Sequence, residues 1–258
     1  MVAAKGASLA MTPDDPIQGT GASEVAEGTW PRNARNIAAR AEHLAENGIY
    51  ALDPRDPRAR PFNLMRAQVL NGLSQVKGRV LAITSASALN GKSHVAANLA
   101  CAISRVRETT LVDLHLRRPV IGERFGLPAI DGVSAYLDGS NELGQLGFGI
   151  TGERLSIHAA GNATEDSSML LTSQRIDELF AQFHRDPAEP ICIVDTPPVL
   201  ESDDMLLIAK QVDAVLFVVE EGKTTRNETL ESFRLLNGTT VLGTVMNKAM
   251  DPLAALHR

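Results

Sequence analysis

The chain has 258 residues, which allows one sizeable α/β domain or a small pair of domains. Hydrophobic residues make up 44% of it but aromatics only 4%, so aliphatic side chains must fill the core. With 25 basic against 31 acidic side chains the formal charge is −6, which argues against a surface built for broad attachment to nucleic acid or anionic lipid.

Two cysteines, Cys101 and Cys192, with no Cys/His cluster argue against a disulfide framework or a zinc site. Both are expected to be small buried apolar residues. The first residues lack the apolar run of a secretory signal. The longest later apolar run, residues 214–219, is far short of the roughly 18 needed to span a bilayer. A soluble, cytoplasmic protein is expected, reaching the inner membrane only peripherally, through a partner.

In chain order, residues 1–31 are rich in Gly, Ala, Ser, Thr and acids and read as a disordered arm. Residues 32–61 read as a helix, over 35–47, followed by a charged linker broken by prolines from Asp53 to Pro61. A second helix is predicted over 62–75. The main unit, residues 62–258, then alternates elements. Strands are predicted at 80–84, 110–113, 155–158, 191–195, 214–219 and 241–246. Helices are predicted at 92–106, 173–184, 204–211 and 226–236. Continuous apolar strands alternating with helices predict a mostly parallel sheet with helices on both faces, a three-layer α/β fold with its ligand at the carboxyl ends of the strands.

The chemistry concentrates in residues 83–93. Between an apolar strand and a helix lies Ser85-Ala-Ser-Ala-Leu-Asn-Gly-Lys-Ser93. A phosphate-binding loop needs backbone N–H groups turned inward, a lysine for the β and γ phosphates and a hydroxyl for Mg²⁺. Lys92 and Ser93 fit the last two roles, and Gly91 permits close backbone approach. Ser87, Ala88, Leu89, Asn90 and His94 complete the expected nucleotide cradle. Ala86 replaces the glycine that opens the general pattern, so the loop alone is only moderately specific. Asp113 and Asp195 each end an apolar strand at the same edge, where carboxylates can hold Mg²⁺ directly or through water. A strand-end Asp can instead cap the next helix.

The loop, the run Leu111-Val-Asp-Leu-His-Leu-Arg-Arg-Pro119 and the run Ile193-Val-Asp-Thr-Pro-Pro198 resemble the Walker A, A-prime and B motifs of the bacterial tyrosine kinases. Those are P-loop NTPase-fold kinases of capsule and exopolysaccharide synthesis. Further matches include Phe125-Gly-Leu, Gly132-Val-Ser-Ala-Tyr-Leu, Gly161 and Leu242-Gly-Thr-Val-Met-Asn247, so the resemblance covers roughly residues 62–247. It implies ATP and Mg²⁺ as cofactors, with Lys92, Asp113 and Asp195 catalytic and Ser93, Asp113 and Asp195 around the metal. It also implies a base-contacting Asn247, though an asparagine there is equally an ordinary strand-end turn residue.

Three departures qualify the resemblance. The second acid of the family's Asp-x-Asp is His115, and imidazole does not replace a carboxylate toward a hard cation. Weaker Mg²⁺ binding or slower phosphoryl transfer is the expected direction, unless His115 merely hydrogen-bonds nearby. Residues 250–258 contain no tyrosine, so tail autophosphorylation is not expected; Tyr50 and Tyr136 are the only tyrosines. The family's Glu-x-x-Arg-x-x-Arg assembly pattern reads Arg60, Asn63, Arg66 here, which removes most of that ring contact.

The leading expectation is an ATP-binding regulator of polysaccharide polymerisation and export. It would be paired with a membrane-embedded chain-length (co-polymerase) protein, able to form a homo-oligomer, and have no nucleic-acid partner. The alternatives are a Min/Par-type positioning ATPase and a non-hydrolysing nucleotide-sensing scaffold. The Min/Par type calls for a second lysine early in the loop, and none lies between Ile83 and Asn90.

Overall fold

The computed structural model describes residues 35–129 and 131–249. The predicted arm, residues 1–31, and the tyrosine-free tail, residues 250–258, lie outside them.

The central strands are continuous apolar runs buried on both faces. They are β2 (Val80–Ser85), β3 (Thr109–Asp113), β6 (Ile191–Asp195) and β7 (Ala214–Glu220). Alternation along each strand sorts their side chains into two cores. Leu81, Ile83, Leu111, Ile193 and Leu216 point to the face covered by α2 (Arg60–Val76) and α3 (Lys92–Ser104). Val80, Val112, Cys192 and Val194 point to the opposite face, against α5 (Val133–Leu137), α6 (Ser167–Leu171) and α7 (Gln174–Arg185). Ala82, Val215 and Phe217 join Met205 of α8 (Asp204–Ile208) and Phe233 of α9 (Arg226–Leu235) on that second face. The predicted three layers are therefore present. Both cysteines are buried and free, as expected, and burial pushes both thiols up.

The sheet has eight strands in the order β1-β4-β5-β3-β6-β2-β7-β8. Here β1 is Arg35–Ile37, β4 Phe148–Ile150, β5 Leu155–His158 and β8 Val241–Asn247. All neighbours pair in parallel except β4 with β5. The phosphate-loop strand β2 lies between β6 and β7, with β3 one strand further on. That order brings the carboxyl ends carrying the loop, Asp113 and Asp195 together at one edge.

The N-terminal portion differs most from expectation. The helix predicted over 35–47 is instead strand β1 followed by the shorter helix α1 (Ala41–Glu46). Pairing of Arg35–Ile37 with β4 takes the first three residues out of the helix. The stretch read as a linker also packs inward. Leu44, Ile49, Ala51 and Ala59 are buried in the same core as α2 and α3. Its prolines shape a turn and begin α2 rather than separate two bodies. The predicted helix at 204–211 ends early, at Ile208.

Candidate functional site

The phosphate loop leaves β2 at Ser85 and enters α3 at Lys92. Gly91 stands at the N-cap with φ 90°, and a Cβ there would collide with the Asn247 side-chain amide, so backbone conformation and space both require glycine. Leu89 takes the left-handed conformation at φ 64°, an uncommon one for a branched side chain, and stays 76% exposed on the loop crest. Alanines 96, 97, 100 and 102 let α3 lie directly on the sheet, which fixes the height of Lys92 and Ser93 above the strand ends.

A cavity of about 490 Å³ opens beside the loop. Ala88, Leu89, Gly91, Lys92, Ser93 and His94 form one wall. His115, Arg118, Val120 and Arg124 form the facing wall, and Asn247 and Lys248 close one side. Lys92, Arg118, Arg124 and Lys248 give this lining a cationic character suited to a polyphosphate. Other hollows exist, including one of about 560 Å³ between α2 and the amino end of β6. That hollow contains no residue of the loop.

Beneath the cavity, Asp195 and Asp113 stand opposite each other at the ends of paired strands β6 and β3. Both oxygens of Asp195 are fully buried, with only the Ser93 hydroxyl and the Thr196 N–H near enough to interact and neither in ideal hydrogen-bond geometry. Burial raises its pKa, opposed by the adjacent Lys92 ammonium, the Ser93 hydroxyl and Arg124. Asp113 is raised by burial and by Asp195. Its oxygens accept the backbone N–H of His115 at 3.0 Å and those of Val120 and Ile121 at 3.2 Å each. It therefore organises the turn leading to α4 (Ile121–Arg124) while lying at the carboxyl edge of the sheet.

The buried, incompletely satisfied Asp195 carboxylate beside Lys92 and Ser93 fits a hard divalent cation bound with phosphate. Among the described residues no three Asp, Glu, His or Cys side chains form a metal-holding group. A cation here would complete its shell with phosphate and water, as Mg²⁺ commonly does. His115 is buried to 8% exposure, and burial followed by Lys92 and Arg118 lowers its pKa to about 3. It stays a neutral imidazole at physiological pH, and its Nδ1 has no hydrogen-bond partner.

The remaining predicted residues brace the loop. The Asn90 side-chain oxygen accepts the Ser87 N–H at 3.2 Å, and its amide donates to Glu220 at 3.3 Å. Ser87 Oγ donates to Glu228 at 3.2 Å, and the Ala88 N–H donates to Glu201. Asn247 Nδ2 donates to the Asn90 carbonyl at 2.9 Å, so in this state its amide holds the loop. His94 packs edge-on against Tyr50 and Phe62, and burial lowers its pKa. Tyr50 lies under the Arg58 guanidinium at 3.8 Å, whereas Tyr136 is buried in the second core. Arg66 is engaged within the chain, donating to the Ala102 carbonyl at 3.0 Å near the end of α3.

Sequence reading missed Arg118, Arg124 and Lys248 as lining residues, and Glu201, Glu220 and Glu228 as braces. Arg118, within the run Leu111–Pro119, and Lys248, adjacent to Asn247, offered a positional signal.

The chain has the fold of P-loop NTPases, proteins that in general bind nucleotide with Mg²⁺. No family model matches the chain. It is similar to the tyrosine-protein kinase wzc of Salmonella typhi, with 27% identity over 198 residues, 76% of this chain but 27% of that protein. The chain thus spans about a quarter of the length of such relatives. The tyrosine-protein kinase YwqD of Bacillus subtilis is 25% identical, with 81% of this chain and 88% of that protein covered. In fold, the kinase domain of the Escherichia coli tyrosine kinase ETK superposes with a TM-score of 0.72, at 24% identity, over 84% of this chain and 89% of that one. The septum site-determining protein MinD of Pyrococcus horikoshii shares the fold more loosely, with a TM-score of 0.56 at 17% identity over 69% of this chain and 76% of that one. The chain is similar to bacterial tyrosine kinases over about three quarters of its length. No described helix is long and apolar enough to cross a membrane.

Proposed function

We propose that this chain binds ATP with Mg²⁺ and serves as a cytoplasmic, nucleotide-dependent regulator of capsule or exopolysaccharide polymerisation and export. The observation that carries the reading is a cationic cavity lined by Lys92 and Ser93, with the buried Asp195 carboxylate close to both at the strand ends. Lys92 would neutralise phosphate charge, Ser93 and Asp195 would hold the metal, and Asp113 would orient its water or an incoming hydroxyl. Bound Mg²⁺ would supply charge neutralisation across the phosphates. Loop N–H groups from Ser87 to His94 would cradle the nucleotide, with Asn247 beside the base. The partner in this reading is a membrane-embedded chain-length protein, and a homo-oligomeric interface is the element that nucleotide occupancy biases.

Phosphoryl transfer is the weak point, because His115 is neutral and buried where the family carries a second acid. That observation favours a second reading, a nucleotide-sensing scaffold with little or no turnover. The test is Mg·ATP binding and turnover for wild type, Lys92→Ala and His115→Asp. Lys92→Ala should weaken binding at least tenfold. Absence of binding by the wild type would sink the proposal. Binding without turnover, with turnover gained by His115→Asp, selects the scaffold. Turnover with phosphotyrosine formed on a partner selects the kinase.

A further inference from the structure

Arg124 ends α4, is half-buried and lines the cavity opposite Lys92 and Ser93. Its Nη1 donates to the Asn47 carbonyl at 2.7 Å, and Asn47 caps the C-terminus of α1. The segment from His43 to Ala51 is tied at both ends. At one end the His43 ring Nε2 lies 2.9 Å from the Glu123 carbonyl, next to the Arg124 bond. At the other, Asn98 of α3 accepts the Tyr50 and Ala51 N–H groups at 2.8 and 3.1 Å and donates to the Gly48 carbonyl at 2.8 Å. Residues 43–51 therefore form a strap from α4 to α3, the two helices that supply facing walls of the cavity.

An arginine serving only as a tie between α1 and α4 would have no reason to face the phosphate loop. The Asn47 carbonyl takes one of five guanidinium donors, and the fork geometry suits a second, bidentate anionic partner. Its charge also reaches the site from two directions. It lowers the pKa of Asp195, at the end of β6, and of His94, the residue after Ser93.

We propose that Arg124 is a polyphosphate-binding residue of this cavity and that the strap of residues 43–51 responds when it is engaged. The inference rests on the nucleotide site proposed above and adds a contact and a route by which occupancy leaves the site. Held by Asn47, the guanidinium is positioned before the ligand arrives, so binding it costs little side-chain ordering. A phosphate on the other edge of the fork fixes Arg124 and, through Asn47, the end of α1.

The test is calorimetric titration of the full chain with Mg·ATP for wild type, Arg124→Ala and Arg124→Lys, alongside ligand-free melting and hydrogen exchange. Arg124→Ala should weaken ATP binding about tenfold, as loss of a charge-assisted hydrogen bond does, and Arg124→Lys should recover part of it. ATP should slow amide exchange over residues 43–51 in wild type and not in Arg124→Ala. ATP affinity of Arg124→Ala within twofold of wild type would overturn the inference. So would equal loss in Ala and Lys variants with a matching fall in ligand-free melting temperature, which would mark the residue as structural only. Wild type that binds no ATP would instead overturn the nucleotide reading beneath it.

Discussion

Asp195 shows how this site stores cost in the ligand-free protein. A fully buried carboxylate is penalised when ionised, and here the penalty outweighs the nearby Lys92, Ser93 and Arg124, which is why its pKa lies above the ordinary 3.8. The stability linked to this group is complete below the unfolded carboxyl's pKa and is lost as pH rises through the raised folded value. Asp195→Asn removes the charge, so without nucleotide it should melt above wild type at pH 8, by about 2–4 °C for a modest gain in a chain of this size. The gap should close as the pH falls toward 4. The same variant should lose the Mg²⁺-dependent part of its ATP affinity. A melting temperature equal to wild type at every pH would show that Asp195 carries no such cost. The pairing of this aspartate with Asp113 was legible in the sequence, since each ends an apolar strand beside a phosphate loop. The cations opposite were not. Arg118 and Arg124 follow β3 in a segment without clear periodicity, and only the turn held by Asp113 aims them back at the loop.

At the scale of elements, the loop is held from outside by three acidic side chains supplied by different parts of the chain. Glu228 is the most economical of them. It completes the capping box of α9 with Thr225, bonding the Thr225 N–H at 2.8 Å, and also accepts the Ser87 hydroxyl. Helix start and phosphate loop thus share one carboxylate. Thr225→Ala should cost about 1 kcal/mol of stability through the lost cap, read by urea unfolding. It should also loosen the loop, read as faster amide exchange at Ser87 and Ala88. A stability change with unaltered loop exchange would separate cap from brace. Long periodic elements such as α2 and α7 were legible because burial is their only requirement. The three-residue strands β1 and β4 were not. They are too short to show alternation, and β4 runs antiparallel to its neighbour β5 for reasons of topology. The Pro-rich stretch before α2 misled for a related reason. Proline and charge signal a turn, but not whether Ala51 and Ala59 beside it will be buried.

For the molecule as a whole, the strand order has a temporal consequence. Strand β2 is synthesised before both its sheet neighbours, β6 and β7, which begin at Ile191 and Ala214. Parallel pairing across such sequence separations is slow, because loop closure precedes any return in contacts. The loop residues of 85–93 are therefore present on the nascent chain well before the strands that flank β2. A stalled chain ending at residue 190 would carry the whole phosphate-loop sequence, lack Asp195, and should bind no nucleotide in a ribosome-release assay. Nucleotide capture then becomes a certificate of completed assembly, issued only after β6 and β7 have threaded in beside β2.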